Sequence, residues 1–282
     1  MRKKTICTMA LAAAAIFFVQ SALAQNYSGA PKLTIREQGP VTRQTTKRNA
    51  TAHQPAAAGT CGNPAAACLF YGGDFEDNPL GPEVANGLAN ETTLLVPASP
   101  YGAATWVPFT VPKGQHWKVT GLFTNNLSSE GVLDESPTQP IASAFWSVNE
   151  GVEPGSAGTV VASGTSAATI TPTGRAAFDD LEYTIQVEGL SFTLTAGTYW
   201  MAVVPQCTNS ADPYCQEVFF LSDVEYINSL PVNAFGPPEP QDASYLDSPN
   251  VFGLSFDPAN GELGACAGLG CDAFSAGVLG KE

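Results

Sequence analysis

The sequence predicts an all-β protein, a two-sheet antiparallel β-sandwich of jelly-roll type with about ten strands behind a disordered N-terminal arm. Three observations carry this expectation. From residue 68 onward apolar residues alternate with polar ones at period two, the signature of half-buried strands. Turn-forming residues break that alternation about every ten positions, as all-β chains do. No segment keeps a helical period with caps, and the 22 prolines would interrupt most candidates. So many strands in one chain manage their edges and core better as two packed sheets than as one open sheet, with a barrel as the lesser alternative.

In chain order, Arg2, Lys3 and Lys4 precede an apolar run from Met9 to Val19, and Ala22-Leu23-Ala24 supplies small residues before Gln25. This is the pattern of a secretory signal peptide over residues 1–24, too short for a membrane span, so the expected product is soluble and extracellular or periplasmic after cleavage near Ala24. The full chain of 282 residues has a net charge of −14. Without residues 1–24, nine basic residues face 26 acidic ones, a net −17. Residues 25–60 carry Lys32, Arg36, Arg43, Lys47 and Arg48 against Glu37 alone, and they end in Gln54-Pro55-Ala56-Ala57-Ala58-Gly59. They form no apolar pattern of useful period and read as a flexible, weakly basic arm. Residues 61–282 then form a single domain with four basic and 25 acidic residues. Such a surface disfavours nucleic acid and anionic membranes as partners and keeps an exported protein dispersed.

Six cysteines follow the signal segment, and the spacing favours three local pairs: Cys61 with Cys68, Cys207 with Cys215, and Cys266 with Cys271. Each pair closes a short Gly-, Pro- or Asn-rich loop, which suits an oxidising compartment. Rings this small stabilise by about 2–2.5 kcal/mol apiece, so they stiffen loops more than they hold a domain together. Zinc ligation is disfavoured, because no histidine accompanies the pairs.

The strands read at 105–111, 116–124, 141–148, 158–163, 182–188, 191–195, 198–204, 217–221, 251–256 and 273–279. Pro112-Lys113-Gly114, Glu153-Pro154-Gly155, Glu188-Gly189 and Ala196-Gly197 stand between them as expected chain reversals, the last as a hairpin turn. Residues 228–250, with Pro231, Pro237, Pro238, Pro240 and Pro249, read as a long irregular loop. The runs Leu69-Phe70-Tyr71-Gly72-Gly73-Asp74-Phe75, Asn86-Gly87-Leu88-Ala89-Asn90-Glu91, Phe109-Thr110-Val111-Pro112, Trp117 to Asn125, Gly197-Thr198-Tyr199-Trp200 and Phe274 to Gly280 resemble uncharacterised secreted bacterial β-sandwich surface proteins. That resemblance implies a fold and a location, and no activity.

Motifs for catalysis are scarce. Only His53, in the arm, and His116, beside Trp117 on a strand, could serve a nucleophile as base, and no Gly-x-Ser-x-Gly elbow, His-Glu-x-x-His helix or phosphate loop occurs. No catalytic residue is assigned. A glycan hydrolase needs only two carboxylates, so the acidic body leaves that class as the third reading. Asp74, Glu76 and Asp77, with Asn78, Asn86, Asn90 and Glu91 following, gather hard oxygen ligands in one loop. Two readings of that loop stand: a solvated acidic turn, or a calcium site with Asp74, Glu76, Asp77 and Glu91 as ligands. Glu130, Asp134 and Glu135 read as surface charge. Trp106, Trp117, Trp146 and Trp200, with Tyr183 and Tyr199, are either core residues or a sugar-stacking platform. Trp117 shares phase with Val119 and Phe123 and points inward, whereas Trp200 is out of phase with Tyr199, Met201 and Val203. The strand at 198–204 must therefore be buried on both faces or offer Trp200 to a ligand. The expected function is a secreted, non-enzymatic envelope, matrix or adhesion component, with a carbohydrate-binding module as the alternative and polysaccharide or cell-surface components as partners.

Overall fold

The computed structural model describes residues 68–74, 87–90, 101–128, 141–177, 180–207, 219–222, 244–250, 252–259 and 274–282. Its elements are strands: β1 Cys68–Tyr71, β2 Gly87–Ala89, β3 Ala104–Ser128, β4 Ile141–Glu150, β5 Thr159–Ala177, β6 Asp180–Cys207, β7 Phe219–Ser222, β8 Tyr245–Ser248, β9 Leu254–Pro258 and β10 Ala276–Lys281. Their backbone hydrogen bonds join them in the order β1-β10-β3-β6-β4-β5, with β2, β7, β8 and β9 attached to one side or the other of that path. The sheet is antiparallel and curls as a half-barrel.

The backbone of this sheet is the ribbon β3–β6, whose register runs from Val107 opposite Met201 to Ser128 opposite Leu181. Three of the expected reversals fall inside it and do not end a strand. Pro112-Lys113-Gly114 lies within β3, where the register shifts between Val111 and His116. Glu188-Gly189 and Ala196-Gly197 lie within β6, and the ladder resumes on both sides of each. They act as β-bulges, which bend and twist a strand without ending it. Gly114, at φ 87°, supplies the left-handed conformation that the first of these bends needs. Glu153-Pro154-Gly155, by contrast, is a true turn between β4 and β5, closed by paired backbone bonds between Glu153 and Ser156.

Bent in this way, the ribbon doubles back until its own parts touch. Thr124 in the second half of β3 donates its hydroxyl to the carbonyl of Val203 in the last part of β6 at 3.2 Å. Phe109 stacks on Trp117 of its own strand, with ring centroids 6.1 Å apart, and also on Phe70 and Tyr199. Trp146 of β4 lies parallel to Phe192 of β6 at 5.8 Å. Burial follows the curl. Tyr199, Met201 and Val203 point to one buried face of β6 and Ala202 and Val204 to the other, as in strands covered on both sides. The second face packs Ala104, Trp106, Val152, Ala202, Val204, Tyr245 and Phe256 together.

Two segments differ from the sequence reading in extent. β5 continues to Ala177 where only 158–163 was expected, and Tyr245–Ser248, inside the expected irregular loop 228–250, is a strand paired with Ala104–Trp106. The signal segment and the arm lie outside the described residues, as do Glu130, Asp134 and Glu135.

Candidate functional site

Among the described residues, the densest set of polar and ionisable side chains gathers where β1 ends, β5 turns into β6, and β3 and β10 pass beside them. Its centre is Arg175, the one arginine beyond residue 60. Just before it the β5–β6 register shifts between Pro172 and Ala176, and Gly174 adopts φ 82°, which turns Arg175 out of the ladder toward its neighbours. On the other side Gly73, at φ 115°, turns the chain after β1 so that Asp74 comes within reach of the Tyr71 hydroxyl.

Among the described residues the contacts interlock. Arg175 Nη1 stands 2.7 Å from Asp74 Oδ1, while Nη2 and Nε both reach Glu182 Oε2. The Glu182 side chain is fully buried, and the Thr173 hydroxyl adds a bond to the same oxygen at 2.7 Å. The phenol of Tyr71 donates to Asp74 Oδ1. Asn125 Nδ2 donates to the Tyr71 oxygen at 3.0 Å and to Ser275 Oγ at 2.7 Å, and Thr184 donates to Asn125 Oδ1 at 2.6 Å. Five strands or their ends are thereby tied through side chains alone.

Electrostatics holds each group in one state. Burial, the Asp74 charge and the bond to Asp74 push the Tyr71 phenol well above its ordinary range, against a smaller opposing pull from Arg175, so it stays a donor. Burial works against the charge on Arg175, but Glu182, Tyr71 and Asp74 outweigh it and hold the guanidinium more firmly protonated. One cation shared by two carboxylates, with the bulk of one of them out of solvent, suits a staple between strands better than a group waiting for substrate.

Of the residues expected to bind metal, Asp74 sits here with Oδ1 engaged by Arg175 and Tyr71. Glu76, Asp77 and Glu91 lie outside the described residues. Among the described residues no three of His, Cys, Asp and Glu stand close enough to hold a metal ion. Cys68 is buried and disulfide-bonded, whereas the side chains of Cys61, Cys207, Cys215, Cys266 and Cys271 are outside the described set. His116 is exposed on β3 opposite Thr195, and His53 is not among the described residues. Trp106, Trp117 and Trp146 are buried. Trp200 is half-buried, packed on the Trp106 cluster with its ring 6.4 Å from that of Tyr245. Arg175 and Glu182 went unnoticed in the sequence, although a lone arginine in so acidic a body was a usable signal.

A second polar group lies where β8 pairs with the start of β3. Tyr101 donates to Asp247 Oδ2 at 2.7 Å beside the Trp106 cluster. Burial raises the Asp247 carboxyl above its ordinary range and Asp257 adds to this, while the Tyr101 hydroxyl and the Phe256 N–H oppose it. A carboxyl that holds its proton harder when folded than when unfolded weakens the fold at neutral pH, and the penalty fades as pH falls through its folded value. Asp247→Asn is therefore expected to raise the urea midpoint at pH 7, with the advantage over the parent shrinking steadily toward pH 4. An advantage that grew on acidification would contradict this account.

The fold and site thus define a curled antiparallel β-protein stapled by an ion-pair network around a buried carboxylate. No family model matches the chain, and no curated protein matches it. Among solved structures it is similar to the cysteine protease and lectin-like domains of Cwp84, a surface layer associated protein of Clostridium difficile, at 17% identity and a TM-score of 0.36. The similarity covers 64% of this chain and 32% of that one, so the chain spans about a third of that protein's length.

Proposed function

We propose that the chain is a secreted, non-enzymatic component of a cell envelope or extracellular matrix, built as a jelly-roll sandwich in which the β3–β6 ribbon folds over between two layers. Export through the segment 1–24 places it outside the cytoplasm. One observation supports this reading most: the ionisable side chains gathered at Arg175 are spent on one another, in a buried network that ties strand ends together. Durability is what such a network supplies. Calcium enters the proposal through the loop acids Glu76, Asp77 and Glu91 more than through Asp74, whose Oδ1 already faces a guanidinium.

A second reading, a carbohydrate-binding module, is favoured by Trp200, the tryptophan that keeps part of its ring exposed. Polysaccharide pull-down separates the two. Residues 25–282, incubated with insoluble polysaccharides in millimolar calcium and again in EDTA, should show no saturable binding and release no sugar. Saturable binding that Trp200→Ala abolishes would replace the scaffold reading with the carbohydrate one, and released reducing sugar would replace both with the hydrolase reading.

A further inference from the structure

β5 is the outermost strand of the sheet path, and its outer edge is unusual. Its first half pairs with β4, from Glu150 opposite Thr159 to Ser143 opposite Ala167, and its second half pairs with β6 from Ala168 onward. Among the described residues no strand lies against its other edge. Proteins normally guard such an edge with lysines, prolines or bulges, because a row of free N–H and C=O groups invites a further strand. Here no charged residue occurs from Pro154 to Gly174, and the proline within the strand comes only at Pro172. The register shifts fall at the strand's two ends, one at Val161 against β4 and one between Pro172 and Ala176 against β6, so that Ala162 to Thr171 runs without either guard. From Val161 to Thr171 exposure alternates, with Val161, Ser163, Thr165, Ala167, Thr169 and Thr171 exposed, while Thr159 and Val160 at the start of the strand are exposed together, Val160 at 54% and Val161 at 39%. The composition is that of segments which pair readily, β-branched and small with no net charge.

The sequence of this edge also reads nearly the same in both directions about Thr165. Counting outward from it as far as the bulge, Gly164 matches Ser166, Ser163 matches Ala167, Ala162 matches Ala168 and Val161 matches Thr169. A strand that pairs antiparallel with a copy of itself about a two-fold axis sets these residues opposite one another. Each would meet a partner of its own size and branching, which is what stabilises cross-strand pairs. Charge points the same way. A body with four basic and 25 acidic residues repels its own copies, and along this edge two copies can approach without setting carboxylate against carboxylate.

We propose that the β5 edge pairs antiparallel with the β5 edge of a second copy, about a two-fold axis at Thr165, so that the sheets of two molecules join into one. The occupant is a second copy of this chain, and the inference does not rest on the envelope reading. On the axis, Thr165 faces its own counterpart with Cα atoms about 4.5–5.5 Å apart, within the span of a disulfide. Thr169 faces Val161 of the other copy, and its own counterpart lies about eight residues, or roughly 26 Å, away along the ladder.

Light scattering and cysteine cross-linking of the purified full chain test this together. The expected mass is twice that of the chain, and the double variant Val161→Lys/Thr169→Lys, which sets lysine against lysine at both ends of the pairing, should halve it with unchanged far- and near-ultraviolet circular dichroism, its melting temperature no longer rising with protein concentration as the parent's does. Under mild oxidation Thr165→Cys should form an interchain disulfide at least tenfold faster than Thr169→Cys. A monomer at every concentration, a dimer insensitive to the lysine pair, or equal cross-linking at both positions would overturn the proposal. Thr→Cys at an exposed strand position leaves the core untouched, so loss of folding does not cloud the comparison.

Discussion

Arg175→Met is expected to cost about 3–5 kcal/mol of stability, the usual consequence of leaving a buried charge without its partner. Glu182 is the reason. Its side chain is fully buried and takes both Nε and Nη2 of Arg175, so removing the guanidinium takes the cation away from a buried carboxylate to which the Thr173 hydroxyl continues to donate. Asp74 is less affected because its side chain keeps 14% exposure and the Tyr71 bond. Two companion variants sharpen the test. Arg175→Lys should recover only part of the loss, since an ammonium cannot span two carboxylates with the fork of a guanidinium. Arg175→Met combined with Glu182→Gln should lose less than Arg175→Met alone, because the stranded charge is gone, and the double-mutant cycle then gives the coupling directly. The measurement is urea unfolding at neutral pH, compared at the midpoint with the slope checked for constancy. A loss under about 1 kcal/mol would mean that the pair behaves like a surface ion pair and that the staple is not what holds β5 and β6 to the end of β1.

That staple could not be read in advance, for a physical reason. Sequence periodicity reports which face a side chain takes, and it succeeded where faces alternate: Trp117, Val119 and Phe123 are buried as their phase required. It says little about partners distant in sequence, and Asp74 and Arg175 meet only because the sheet curls. The bulges failed differently. Gly114 and Gly189 both adopt positive φ, the property that also makes glycine a turn former, so a bend inside a strand and a reversal between strands leave the same mark. The far half of β5 was missed because Thr, Ser, Ala and Gly carry little apolar contrast, and contrast is the signal. Trp200 stands between these cases. Its phase announced that β6 has two demanding faces, and the structure answers by burying both, leaving the ring half-covered rather than presented.

The same curl makes Phe109 the residue on which the ribbon's two halves depend most. Phe109 is fully buried and touches rings from three places in the chain: Phe70 at 5.8 Å, Trp117 at 6.1 Å and Tyr199 at 5.8 Å. Phe109→Ala is therefore expected to cost about 3–5 kcal/mol, the range for deleting a buried phenyl ring and leaving a cavity. The cavity cannot collapse easily, because Phe109 and Trp117 lie on one strand whose bend at Pro112–Gln115 fixes their separation. Trp200→Ala provides the contrast. A larger side chain is removed, yet its ring is half-exposed and borders the cluster rather than filling its centre, so it should cost clearly less than Phe109→Ala while the near-ultraviolet dichroism of the remaining aromatics persists. Measured side by side in urea, the order of the two losses decides the matter: if Trp200→Ala proved the more damaging, the ribbon would be held from its Tyr245 face, and the ring stack around Phe109 would be filling rather than framework.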